Sequence, residues 1–279
     1  MHLGPRSAAV VRTAHRVLRG DLSVMSAGVA LYALLAALPA LTAIVSIYSL
    51  VANPVDIEPQ LSGLVGVLPR PVVGFLVAQL EREASRPHDQ LGLALGGSLA
   101  LALWSARAAA AATVDAVHHA YGCPETRNFS RRFMFRISMA LATIIGLLVT
   151  AAIVVALPAV VALIGLGETA IDWVGLARWP VLLVVYTGSM AALYRLAPSP
   201  RPMTRRRLAP GALAATVLWL AGSYGLSTYV QRINDYENVY GAFGGVVVVI
   251  LWFYVSALSV LLGGVLNAEL ERAAAPAGE

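Results

Sequence analysis

The chain has 279 residues, of which 58% are hydrophobic and only 13% charged, about half the charged share of a soluble globular protein. A soluble domain of this length would lack the charge to cover its surface, so lipid is the expected solvent for much of it. The net charge is +5, and all twenty basic side chains are Arg, standing in short segments between apolar runs. That placement suits membrane topology and argues against a nucleic-acid partner. The single cysteine, Cys123, excludes an intramolecular disulfide and makes a thiolate metal cage within one chain implausible.

In chain order, residues 1–21 read as a cytoplasmic amphipathic segment. Arg12, Arg16 and Arg19 share one face, while Val10, Val17 and Leu18 turn towards lipid. The first apolar run is far longer than a signal-peptide core, so a retained helix is expected. A helix needs about 20 apolar residues to cross the hydrocarbon layer. Six runs approach that length, and the predicted spans are 24–51, 91–112, 138–166, 179–197, 209–231 and 243–268. They make residues 22–270 an all-α polytopic bundle, with 271–279 a short cytoplasmic tail. The fourth span is the shortest, because only sixteen residues separate Arg178 from Arg195. Those two arginines can snorkel and still let it cross.

Between the first two spans lies the longest connection, 53–90. It carries Leu61, Leu64, Val65, Leu68, Val72, Phe75 and Leu76 at helix-like spacing, broken by Pro69 and Pro71. It reads as amphipathic helices on the outer surface, either packed on the bundle or serving as a gate. Fourteen arginines fall on the side of the N-terminus and five on the other. The arginine-rich side is expected to be cytoplasmic, with both termini there.

Several stretches resemble a known family. They are Ser26-Ala-Gly-Val-Ala-Leu-Tyr32 with Leu38-Pro39, then Trp104-Ser-Ala-Arg107 with Tyr121 and Arg127–Arg132, then Tyr194-Arg-Leu-Ala-Pro198 and Pro210-Gly-Ala212. Beyond them come Trp219, Tyr229, Asn234–Gly245, Leu251–Ala257 and Leu261–Leu270. Together, over about residues 20–270, these resemble the YihY/BrkB family of bacterial inner-membrane proteins. The resemblance implies a six-span inner-membrane fold and suggests transport. Family members have also carried the names virulence factor and ribonuclease BN, the second of which reads as a misattribution. The chain departs from the family pattern at Ala36-Ala37-Leu38, where a polar residue is common, and near His118-His119, where Asn is common.

Arg107 is the most informative single charge. An intramembrane guanidinium costs several kcal/mol and normally faces the bundle interior or an aqueous cavity. With Glu269, Asn267 and Asp21 it forms a candidate intramembrane polar site for an anion or headgroup. A structural ion pair with Glu269 or Asp21, or snorkelling, is the plainer reading of it. Asn234, Asp235, Tyr236, Glu237, Asn238 and Tyr240, with Gly241, Gly244 and Gly245, form a candidate outer-mouth cluster or, equally, a capped helix hairpin. Asp115, His118 and His119 share a helical face and make a weak metal candidate, with a hydrogen-bonded helix end as the plainer reading. Pro39 and Pro158 are expected to kink their spans. Gly92, Gly96 and Ala100 form a small-residue stripe that reads as a helix contact.

No hydrolase signature, catalytic set or cofactor motif is present in the sequence. The leading expectation is a transporter, permease or flippase, not an enzyme. The alternative is a non-transporting envelope scaffold. The expected partners are membrane lipids, with a small-molecule or lipid substrate and self-association left open.

Overall fold

The computed structural model describes residues 21–51, 74, 77–78, 91–122, 127–151, 168–198, 205–232 and 244–273. The N-terminal segment, almost all of the 53–90 connection, Pro158, Cys123 and positions 234–241 of the outer-mouth cluster lie outside them.

Six long helices run through the described residues, which contain no strand: α1 (Asp21–Val51), α2 (Leu91–Tyr121), α3 (Phe129–Ala151), α4 (Glu168–Leu196), α5 (Arg205–Arg232) and α6 (Gly244–Arg272). Their Ala- and Leu-rich sequences favour helix, and in hydrocarbon a helix satisfies its own backbone. Segments long and apolar enough to cross a membrane occur in four of them: Asp21–Pro39, Ala100–Tyr121, Leu208–Arg232 and Gly244–Arg272. A fifth apolar segment, Pro180–Leu196, is shorter. The described residues are thus all-helical, with several helices of the length and apolarity that suit a multi-pass membrane protein. Exposed Leu31, Leu35, Leu101, Val184, Val217 and Ile145 are the lipid-facing side chains this solvent requires.

Two helices run beyond the spans expected from the sequence. α2 continues past Ala112 to Tyr121, and α4 begins at Glu168, ahead of its apolar segment Pro180–Leu196. α1 likewise continues through Pro39, a position where one backbone hydrogen bond is lost.

Neighbouring helices alternate in direction. One buried cluster joins Leu22 at the start of α1, Val114, Val117 and Tyr121 near the end of α2, and Tyr194 and Ala197 at the end of α4. The same cluster takes in Leu208 and Ala212 near the start of α5 and Leu261, Val265 and Ala268 near the end of α6. Phe135 and Met139 of α3 pack against it. The core is thus concentrated at the arginine-rich end. α1 lies against α2 and α6, α5 between α4 and α6, and α3 beside α2.

Candidate functional site

Around this core many of the polar groups described at the arginine-rich end are engaged between helices. Pro210 has no N–H to donate, so one backbone bond is missing near the start of α5. Asn267 of α6, fully buried, packs against this stretch. Its Oδ1 accepts the Gly211 N–H at 2.8 Å and its Nδ2 donates to the Leu208 carbonyl at 3.2 Å. The backbones approach closely here: a Cβ on Gly263 would collide with the Gly211 carbonyl and the Tyr194 hydroxyl, and would lie 2.8 Å from Ala215 Cβ. Tyr194, also fully buried, donates to the Val260 carbonyl at 2.5 Å.

The last carbonyls of α4 are held by two cationic or polar side chains. Arg127 donates to Leu196 at 2.9 Å and Ala197 at 3.1 Å, with its guanidinium 3.9 Å from the Phe135 ring centroid. His118 Nε2 also bonds the Ala197 carbonyl. α2 ends on Gly122, whose φ of 66° is the left-handed conformation of a helix stop; its N–H reaches the His119 carbonyl at 3.0 Å. Arg272 donates to the Tyr121 carbonyl at 3.0 Å and to Glu269 at 2.7 Å.

The candidate polar site is therefore not one cluster. Glu269 is buried with Arg272, Asn267 serves α5, and Asp21 is exposed at the start of α1. No ion pair joins Arg107 to Asp21 or Glu269 among the described residues. The guanidinium instead lies 4.7 Å from the ring centroid of Trp104, one turn nearer the N-terminus of α2. Its Nε is buried and has no hydrogen-bond partner. The extension of α2 to Tyr121 also moves Arg107 away from the helix end. Asp115, paired with Arg136 at 2.6 Å and Arg132 at 3.3 Å, marks a charged level on this helix. Arg107 lies two turns beyond it, about 12 Å at 1.5 Å per residue. Its side chain turns towards Trp104, away from that level.

Asp115, His118 and His119 do share one stretch of α2, but Asp115 is taken by two arginines and His118 by Ala197. No metal-suited group of three His, Cys, Asp or Glu occurs among the described residues. Of the outer-mouth cluster, Gly244 and Gly245 are described: they open α6, and Gly244 is buried. Gly96 meets nothing within 4 Å, and Ala100 is exposed, so the stripe read there is not a contact at those positions. The close helix contact is made by Gly211, Gly263 and Ala215. Its signal was the Pro210-Gly211 and Gly263-Gly264 pairs, visible in the sequence without their pairing.

Midway along α5 and α6, two indoles cross. Trp219 Nε1 donates to Ser256 at 3.0 Å and Trp252 Nε1 to Ser223 at 3.1 Å. Tyr186 stacks on Trp219 at 4.7 Å, and Thr187 bonds Thr216 at 3.0 Å. Each buried donor is satisfied between helices, as hydrocarbon demands.

Comparison with known proteins places this architecture. The family described as Virulence factor BrkB matches residues 13–279. A protein of Bacillus subtilis (strain 168), named as a ribonuclease-like protein, is 32% identical over 201 residues, 66% of this chain and 70% of its own length. A UPF0761 membrane protein of Xanthomonas campestris pv. campestris (strain B100) is 30% identical over 100 residues, 36% of this chain and 23% of its own. Another, from Xanthomonas oryzae pv. oryzae (strain PXO99A), is 35% identical over 78 residues, 28% of this chain and 18% of its own. The chain thus spans less than a quarter of these two longer relatives. No solved structure matches.

Proposed function

This chain belongs to the virulence factor BrkB family, and from that premise we propose that it is a transporter-, permease- or flippase-like protein of the bacterial inner membrane. It crosses the bilayer six times, with both termini in the cytoplasm. The sixfold crossing rests on six alternating helices, and the orientation on fourteen arginines against five.

Arg107 is the observation that carries the transport reading. A guanidinium in a spanning helix costs about 2.5–3.5 kcal/mol on insertion scales. The Trp104 contact returns about 0.5–2 kcal/mol. Among the described residues no carboxylate partner makes up the difference, and a buried donor is left unused. A charge kept at such cost, with no counter-ion among the described residues, suits a site for an anionic cargo. The cargo is an anion or a lipid with an anionic headgroup.

The second reading, a non-transporting scaffold, is favoured by the close packing around Asn267, Gly211, Gly263 and Tyr194. A ribonuclease is not supported by this site, because Asp115 and His118 are committed to helix contacts. We read the chain as not an enzyme.

The test is translocation in proteoliposomes, using fluorescently tagged phosphatidylglycerol and small organic anions. Wild type should move one of these classes, Arg107→Lys should retain part of the rate, and Arg107→Ala should lose at least tenfold. Equal rates for wild type and Arg107→Ala would remove Arg107 from the mechanism. No movement by correctly folded wild type would favour the scaffold.

A further inference from the structure

The beginning of α3 carries chemistry that transport through Arg107 does not use. Phe129, Arg132, Phe133 and Arg136 recur at spacings of three and four, which places them on one helix face. Phe129 is 85% exposed, Phe133 43% and the adjoining Met134 60%. Such apolar side chains need acyl chains or the headgroup boundary around them.

Arg132 and Arg136 both reach Asp115 on α2, each through Nη2 alone. Arg136 is 2.8 and 2.6 Å from the two carboxylate oxygens, and Arg132 is 3.3 and 3.5 Å from them. Both Nε atoms are buried and have no hydrogen-bond partner. A guanidinium has five N–H donors, so most of those on this pair are unused. Two guanidinium groups against one carboxylate leave excess positive charge, and exposed Arg131 adds to it. Asp115 fixes the two arginines without neutralising them, which lowers the ordering cost of receiving a second anion.

Excess charge, idle donors and an apolar collar occur together at one level of the membrane. We propose that this face of α3 binds an anionic phospholipid, its phosphate shared by Arg132 and Arg136 and its acyl chains lying against Phe129, Phe133 and Met134. The guanidinium fork suits a phosphate in two-point contact. The exposed Phe and Met select a lipid-borne phosphate over a free one. The site is separate from Arg107 and stands whether or not anything is transported.

Native mass spectrometry of the detergent-purified full chain tests it, with phosphatidylglycerol, phosphatidylcholine and inorganic phosphate as probes. Phosphatidylglycerol should be retained at least tenfold better than phosphatidylcholine. Arg132→Gln and Arg136→Gln should each weaken it about fivefold, the effect of one basic charge near an anionic surface. Replacing Phe129 and Phe133 by Ser should weaken phosphatidylglycerol and leave inorganic phosphate unchanged. Unaltered retention by the arginine variants, equal retention of the two lipids, or inorganic phosphate bound as tightly as phosphatidylglycerol would each overturn the proposal. Should Arg136→Gln fail to fold, Arg132→Gln decides, since its side chain is the more exposed of the two.

Discussion

The amide side chain of Asn267 accepts the backbone N–H of Gly211 at 2.8 Å while donating to Leu208, so one residue of α6 holds both a donor and an acceptor of the α5 backbone beside Pro210. Interhelical side-chain hydrogen bonds in membranes are worth about 0.6–2 kcal/mol each. Asn267→Ala removes two and leaves a void in a fully buried place. The expected loss is about 2–3 kcal/mol, read as earlier unfolding in mixed detergent–dodecyl sulfate micelles followed by circular dichroism.

Two glycines should respond oppositely to the same methyl group. At Gly263 a Cβ meets the Gly211 backbone, the Tyr194 hydroxyl and Ala215, which cannot all retreat. Gly263→Ala should cost at least about 1–3 kcal/mol, the range of overpacking. At Gly225 a Cβ meets nothing within 4 Å, so Gly225→Ala should be neutral or stabilising by up to about 1 kcal/mol. The same unfolding assay compares the two.

The crossed indoles make a pairing prediction. Double-mutant cycles on Trp219→Phe with Ser256→Ala, and Trp252→Phe with Ser223→Ala, should give coupling of about 0.5–1.5 kcal/mol. The non-bonded combination of Trp219→Phe with Ser223→Ala should give clearly less. Equal coupling for all three would mean that ring packing, not the N–H bonds, joins these helices.

Arg127→Ala should loosen the end of α4. It strips the Leu196 carbonyl of its side-chain donor and leaves Ala197 with His118. A cation at a helix C-terminus contributes about 0.3–2 kcal/mol. Hydrogen exchange in the last turn of α4 should therefore quicken several-fold, while α5 and α6 stay unchanged.

The fold class was legible because hydrocarbon imposes a coarse rule: long uncharged runs become helices, and the family motifs from Ser26 to Leu270 agree. Helix limits were less legible. Hydropathy falls off at Asp115 and the two histidines, but the helix continues, because arginines of α3 neutralise Asp115 and Ala197 receives His118. α4 extends to Glu168 for a simpler reason: a helix does not have to stop where its lipid-facing part stops. In the candidate site, Arg107 was legible as an unusual charge and its Trp104 contact lies one turn away on the same helix, whereas the pairing of Glu269 with Arg272 and of Asn267 with α5 depends on packing. Asn267 looked like part of the same site; its real partner, Gly211, is distant in sequence, and no local signal joins them.

Transport through this bundle requires Arg107 to be reachable by a polar ligand from within the bilayer span. The decisive measurement is thiol labelling of Arg107→Cys in proteoliposomes, with Cys123 replaced by Ser. The introduced thiol should react readily with a membrane-impermeant anionic thiosulfonate. Reaction only with a lipid-soluble maleimide would show a position closed to polar cargo and would contradict a transport role for Arg107.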